Sequence, residues 1–411
     1  MNCHFQLCWT AVLLTLCAAL LSYQETNATE KSLDTVLLHH DPSPGGVIGW
    51  AAGSILNLDG KQHLIMVLTA NYGGHDNSRA DILRFDSPDG GLTWTRLEDA
   101  SVFQGMDHLA KETVTGPTLL RLRNSDILFF FTVGNSDTDC GTWMRRSSDN
   151  MKTWSEPKRL PYEGYGEVCN DRAMQLSTGR ILLPAWVSMD RLASSHAYCF
   201  YSDDDGHTWR KTAPVSAPRG STGRKTDPAA EEPMVVELKD GRLMMLLRVY
   251  LKSIYVSYSD DKGATWSTPR SSGIPAPGSM ATINRMPDGN ILLIWNQAPI
   301  EAINGPFPRN ILASAVSMDE GKNFTFVRNL DGGADFKGKI TMANVTFCNG
   351  NAVITYSKSE SMKNTYNWRV QVIPLTWFYE GDKKQVYGEH YIPTLNEGLR
   401  KLKINVKRGH H

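Results

Sequence analysis

The chain has 411 residues, with 43 Lys plus Arg balanced against 43 Asp plus Glu. A formal net charge of zero excludes a global pull toward nucleic acid or acidic membranes, so any preference for anions must come from a local cluster. The length suits one large domain or two ordinary ones.

In chain order, the first element is an apolar run from Trp9 to Leu21. It has the length of a signal-peptide core and is short for a membrane span. Met1 to Ser22 therefore reads as a secretory signal, with Ala18, Ala19 and Ser22 as small residues near a cleavage point. His4 is the sole basic group ahead of the run, which keeps a signal anchor open as the alternative. The expected location is extracellular, or a lysosomal or other secretory lumen, with no stable membrane insertion after cleavage. Cys140, Cys169, Cys199 and Cys348 remain after the signal. Four cysteines allow three full connectivities, and both a disulfide and buried free thiols stay open. Their spacing matches no zinc pattern, no acidic loop has calcium-ligand spacing, and neither metal nor cofactor is expected. Three N-x-S/T sequons begin at Asn27, Asn323 and Asn344 and fit passage through a secretory pathway.

From there the chain repeats. Hydrophobic strands flank tight turns at Asp59-Gly60, Asn124-Ser125, Thr178-Gly179, Asp240-Gly241, Asp288-Gly289 and Asn349-Gly350. Turn residues of this kind between alternating apolar positions predict β-hairpins. One strand after each of the first five hairpins comes a box of the form S-x-D-x-G-x-T-W. The boxes start at Ser87, Ser147, Ser202, Ser259 and Ser317, so their spacings are 60, 55, 57 and 58 residues. The second has Met151 at the glycine position, and the fifth ends Asn323-Phe324. The sixth hairpin is followed by a plain strand, Arg369 to Leu375.

A fixed period of this size marks one supersecondary unit per repeat. Each repeat reads as four strands, A to D, and six of them predict an all-β, six-bladed β-propeller of four-stranded antiparallel blades. The first blade is expected to be completed by a strand from the other end of the chain. Residues 1–22 are the signal, 23–380 the propeller, and 381–411 a C-terminal tail with a weakly helical basic stretch. Strand order places the A–B hairpins and the boxes at one end of the propeller. Starts of A, ends of B and the B–C loops then converge at the other end. The box aspartates and tryptophans are accordingly read as structural.

At the converging end lie His75 and Asp76 in repeat one, and Asp107, His108 and Glu112 in repeat two. Repeat three contributes Tyr162, Tyr165, Glu167, Asn170, Asp171 and Arg172. Glu231, Glu232 and Arg248 come from repeat four, Asn296, Gln297 and Arg309 from repeat five, and Lys339, Thr341 and Tyr356 from repeat six. Arginines there suit bidentate binding of a carboxylate. Carboxylates suit general acid/base work on a glycosidic bond.

Taken together, the boxes, hairpins and arginines resemble the sialidase superfamily, specifically its secreted Asp-box branch, over roughly Gly46 to Thr376. Glu232 precedes Val235-Val236-Glu237-Leu238-Lys239-Asp240-Gly241, with Arg248 sixteen residues on. Arg309 stands eight residues before Ser317, and Asp76 eighteen before Trp94. The resemblance implies Asp76 as general acid/base and Glu232 as the carboxylate that polarises a nucleophile or activates water. It further implies Arg248, Arg309 and, as a substitute, Arg172 as the carboxylate clamp, with Asp171 and Tyr356 completing the substrate site. Two positions depart from the family pattern. Ala51 stands where the first arginine of the clamp is expected, and Thr341 and Met342 stand where the tyrosine nucleophile is expected.

The expected function is a secreted glycoside hydrolase that removes a terminal acidic sugar, sialic acid or a relative, from a glycoconjugate. A catalytically inactive, lectin-like glycan-binding propeller is one alternative. A propeller glycosidase or lyase acting on another acidic sugar, with His75 or His108 and Tyr165 as base and acid, is the other. The expected partner is a glycan or glycoconjugate, not nucleic acid, and the oligomeric state stays open.

Overall fold

Strand pairing in the chain follows the predicted hairpins. The computed structural model describes residues 33–41, 53–72, 80–97, 113–136, 139–161, 165–167, 171–188, 194–219, 229–298, 309–361, 363, 365–384 and 387–388. Repeat four shows the unit clearly: Glu231–Glu237, Leu243–Arg248, Ser253–Ser259 and Arg270–Pro275 form one antiparallel sheet in sequence order. Its second strand is almost wholly buried, while Ser253–Ser259 alternates buried and partly exposed positions. A strand enclosed by neighbouring blades reads as continuously apolar, and one nearer the rim alternates.

The described strands make an all-β propeller of antiparallel blades. They fall into five hydrogen-bonded sheets, four of them single blades. The fifth has eight strands, because repeats one and two join where Ala80 and Thr113 pair in parallel. The first blade was expected to be completed by a strand from the other end of the chain; among the described strands it is the last repeat that takes one, from the N-terminal side. Leu33–Leu38 pairs antiparallel with Asn367–Pro374 and forms its outer strand. The chain expected as a tail after residue 380 still packs on the propeller. Asp382 exchanges backbone hydrogen bonds with Val327, and Tyr387 is buried with its ring 5.9 Å from that of Trp295.

Hydrophobic clusters lie between successive repeats. One joins Phe129 and Phe131 of repeat two to Ile65 and Val67 of repeat one. Another joins Val353 and Trp368 of repeat six to Leu64 and Met66 of repeat one, which closes the ring.

The boxes form joints between repeats. In the first, Ser87 Oγ donates to Asp89 Oδ1 at 3.0 Å and accepts from the Gly91 amide at 2.8 Å. Asp89 accepts from the Thr93 amide at 2.9 Å and hydroxyl at 2.6 Å. Matching bonds hold the others, and in the fifth Asn323 replaces threonine, donating through Nδ2 to Asp319 at 2.7 Å. In the second, the Thr153 hydroxyl and amide hold the Asp149 carboxyl down at about 2.

Each box glycine has positive φ, +95° at Gly91, +87° at Gly206 and +83° at Gly263. A Cβ on Gly91 would lie 2.9 Å from Val353 of repeat six, one on Gly206 2.9 Å from Leu128 of repeat two, and one on Gly263 3.0 Å from Leu182 of repeat three. Glycine thus serves both the turn and the approach to the preceding repeat. Met151 adopts φ +67° and buries its side chain in the cluster between repeats one and two, which offsets the cost of a left-handed non-glycine residue. Repeat six has no box. The 3-10 turn Leu375–Tyr379 follows its third strand, with Trp377 and Phe378 buried against repeat five.

Gly91→Ala is expected to destabilise the fold by about 1–3 kcal/mol, through strained φ and overpacking against Val353. Gly60→Ala shares a positive φ but meets nothing within 4 Å, so its effect should be smaller. Equal shifts of the two thermal midpoints would refute the joint.

Two sequons are structurally engaged. Asn344 is 1% exposed on an inner strand, closed to modification in the folded chain, and Asn323 holds its box. The Asn27 sequon lies outside the described residues, as do the signal region and Cys169. Cys140, Cys199 and Cys348 are buried, and Cys199 and Cys348 are free thiols. Among the described residues no helix is long and apolar enough to cross a membrane.

Candidate active site

Register builds the site. Glu231 pairs with Arg248, whereas Leu243 pairs with both Glu237 and Ser259, the first residue of a box. The start of strand A and the end of strand B therefore meet at the end away from the hairpins and boxes.

Two adjacent residues in a regular strand point to opposite faces. Glu231 and Glu232 both reach Arg248, because the register shifts between Glu231 and Met234, Glu232 adopts φ +44° and Pro233 follows. A β-bulge re-aims a side chain in this way. Glu232 Oε2 lies 2.9 Å from Arg248 Nη1, and Glu231 Oε2 lies 3.6 Å from Arg248 Nε. Register shifts recur on the inner strands of repeats two and six, where Gly116 has φ +61° and Met342 φ +58°. Asp171 of repeat three has φ +40°.

Arg172 supports this bulge from the preceding repeat. It is 2% exposed, and its Nη1 donates to the backbone carbonyls of Glu232 and Pro233. These contacts lie beneath Glu232, and Arg172 also borders the cavity described below. Burial alone would raise the Glu232 carboxyl. Arg248, Arg172 and Arg309 outweigh that and hold it below the usual glutamate range, so Glu232 is ionised at neutral pH.

Arg309 occupies the other side. Its Nη2 donates to the Gly278 carbonyl at 2.8 Å and its Nη1 to Thr341 Oγ1 at 3.4 Å. Both hydrogen-bond partners are neutral, and burial together with nearby Arg248 lowers its pKa against the opposing charge of Glu232. A guanidinium whose direct partners are all neutral keeps donor capacity for an anion.

Tyr250 was not singled out from the sequence. Its hydroxyl donates to Glu231 Oε2 at 2.8 Å and accepts from Arg248 Nη2 at 2.7 Å. The signal was present, since residues i and i+2 of an extended chain share a face.

Asp171 lines a different part of the channel. Ser54 Oγ of repeat one donates to its Oδ1 at 2.6 Å and accepts from the Leu119 amide of repeat two at 2.9 Å. A cavity of about 430 Å³ runs from Asp171 and Arg172 along the inner strands to Lys239 and Gly241. The Arg248–Glu232 pair does not line it. Asp171 keeps partial access through this cavity, although protein encloses its carboxyl. Burial pushes that carboxyl up to about 7, against hydrogen bonds from Ser54 and the Ile55 amide.

The native state therefore keeps a proton that the unfolded chain releases near pH 4. Stability from this group falls as pH rises from about 4 to 7 and is level above. Asp171→Asn should remove that slope and exceed the parent's stability at pH 8 by about 1–3 kcal/mol. An unchanged slope of melting temperature against pH would refute the assignment.

Tyr356 is not brought to the cluster. It is fully buried, its hydroxyl donating to Asp331 at 2.6 Å and accepting from Gln371 at 2.9 Å. Burial and Asp331 drive its pKa far up. Strand alternation is the reason: its neighbour Ser357 pairs with Thr341, while the Tyr356 side chain packs with the cluster shared with repeat five. The expected substrate contact of Tyr356 thus gives way to a structural one. Asp76, His75, Ala51, Asp107, His108 and Glu112 lie outside the described residues, and of Tyr165 and Glu167 only the backbone is described. Among the described residues no group of His, Cys, Asp or Glu is arranged to hold a metal ion.

Residues 67–368 match the model of a BNR repeat-like domain. Over 218 residues, 47% of this chain and 51% of the relative, the chain is 29% identical to a sialidase of Paraclostridium sordellii. It spans about half the length of the curated relatives it matches. Among solved structures, a Hadza microbial sialidase superposes with a TM-score of 0.65 at 19% identity, covering 84% of this chain and 69% of that one. A Dyadobacter fermentans protein described as of unknown function superposes with a TM-score of 0.62 at 15% identity, covering 85% and 99%. At these identities the structural likeness concerns the fold.

Proposed function

Because the chain belongs to the BNR repeat-like domain family, we propose that it is a glycoside hydrolase of sialidase type that removes a terminal acidic sugar from a glycoconjugate. The observation that carries this reading is the buried Arg248–Glu232 pair, 2.9 Å apart, with Arg309 nearby, whose hydrogen-bond partners Gly278 and Thr341 are neutral. A sugar carboxylate gives Arg309 a direct ionic partner. Ionised Glu232 stabilises positive charge developing at the anomeric carbon, and Asp76 protonates the leaving oxygen. We read the eight-stranded sheet as two blades of a six-bladed propeller, and the apolar N-terminal run supports passage through the secretory pathway.

The test is hydrolysis of a fluorogenic sialoside between pH 4 and 7, followed by uronic acid and neutral glycosides. Arg309→Ala should raise KM on an acidic substrate about 10- to 100-fold, equivalent to losing a charge-assisted hydrogen bond of about 1.5–3 kcal/mol. An equal KM for parent and variant would refute the anion role of Arg309. A second reading is favoured by Met342 and Thr341 at the position of the expected nucleophile: a glycan-binding propeller without turnover. Binding of the sialoside that Arg309→Ala abolishes, with no hydrolysis of any substrate in the panel, would establish it.

A further inference from the structure

We propose that Tyr250 is the nucleophile of this site and Glu231 its base, an assignment that rests on the glycosidase reading above. A tyrosine hydroxyl is a poor nucleophile unless its proton has an acceptor and its oxygen is stabilised as it gains charge. Tyr250 has both. Glu231 Oε2 accepts its proton at 2.8 Å, and Arg248 Nη2 donates to the same oxygen at 2.7 Å. Ser195 Oγ donates to the other oxygen of Glu231 at 2.9 Å, which fixes the carboxylate with Oε2 toward the tyrosine. A base oriented by a third group is the arrangement expected of an activated nucleophile.

Packing holds the ring in this pose. A Cβ on Gly278 would stand 2.2 Å from Tyr250 Cδ1 and 2.4 Å from Cε1, so only glycine at 278 leaves room for it. The carbonyl of that same glycine accepts from Arg309 at 2.8 Å. Tyr250 is thereby seated between the two arginines of the mouth. A catalytic site needs its reacting groups locked by neighbours in this manner.

In the first step, Tyr250 Oη forms a bond to the anomeric carbon as the glycosidic C–O bond breaks. The tyrosine proton passes to Glu231, and the electron pair of the broken bond stays on the leaving oxygen, which takes a proton from water. In the second step, water attacks the same carbon and releases a proton to solvent. The tyrosine oxygen leaves and recovers its proton from Glu231. Two displacements at one carbon return the starting configuration.

The test uses the full chain and 2,3-difluorosialic acid, which carries fluoride as its leaving group, followed by digestion and peptide mass spectrometry. A glycosyl adduct on Tyr250 is the expected result. Tyr250→Phe keeps the ring on Gly278 and should lower kcat about 10³-fold or more with a smaller loss of melting temperature than Arg248→Ala. Glu231→Gln should lower kcat about 10²- to 10⁴-fold. Sialoside turnover with an adduct on another residue, with no adduct and the inverted anomer formed first by NMR, or undiminished in Tyr250→Phe would overturn the assignment and leave the glycosidase reading standing. Neither adduct nor turnover of any glycoside would overturn both.

Discussion

Arg248→Ala will lower unfolding free energy by about 3–5 kcal/mol, the cost of removing one partner from a buried ion pair. The side chains of Arg248, Glu231 and Glu232 are 15%, 11% and 7% exposed, so the two carboxylates left behind have little access to water. Arg248 also orders Tyr250 through its hydroxyl. The pH dependence should shift as well. In the parent, Glu232 titrates below its ordinary value, so its contribution is present above the unfolded pKa near 4.3 and disappears as pH falls through the folded one. Without Arg248, burial gains weight against the remaining arginines, and that acid-side loss should begin at higher pH. A variant that removes all three charges together, with Glu231 and Glu232 as glutamine and Arg248 as methionine, should recover part of the stability, because no carboxylate is left facing a missing Arg248, although Arg172 and Arg309 lose Glu232. Denaturant midpoints at pH 5, 7 and 8 measure each effect. A loss below about 1 kcal/mol in Arg248→Ala would show that water reaches the carboxylates and that the pair is worth no more than a surface one.

Glu232→Gln carries the second large effect, on turnover with little change in fold. Glutamine keeps the shape, and Arg248 keeps Glu231 as counter-ion. The negative charge facing the anomeric centre is lost, and kcat should fall about 10³-fold, within the range for a positioned charged group. KM for an acidic substrate should change little, since Arg309 carries that contact. Steady-state kinetics of the purified variant separate the two parameters. A rise in KM with kcat intact would make Glu232 a binding residue and assign the chemistry to Glu231 and Tyr250 alone.

Sequence periodicity located the end of the propeller where Glu232, Arg248 and Arg309 gather but not the partners of each residue there, for a local reason. Strand alternation, hairpin turns and the boxes depend on neighbours a few positions apart, and these were legible. The bulge at Glu232 was written only as an acidic residue before Pro233, a weak mark. It reverses the facing of one residue and so puts two adjacent glutamates on one arginine. Arg172 and Tyr356 were read by position along a strand, whereas packing between repeats decides their partners. Arg172 supports the backbone of repeat four, and Tyr356 joins Asp331 and Gln371. Tyr250 was passed over because its meaning depends on Gly278, in the next repeat.

The sequence by itself determined the repeat, the antiparallel four-strand unit and the end of the propeller at which polar groups gather, since each follows from local turn chemistry and a period of two. Only the tertiary structure decided how the chain closes on itself, with Leu33–Leu38 added to the last repeat. It also decided which polar groups meet, because those contacts span 17 residues from Glu231 to Arg248 within one repeat and 117 from Ser54 to Asp171 between repeats. Contacts of that separation are set by how blades pack against one another, and no local pattern records it.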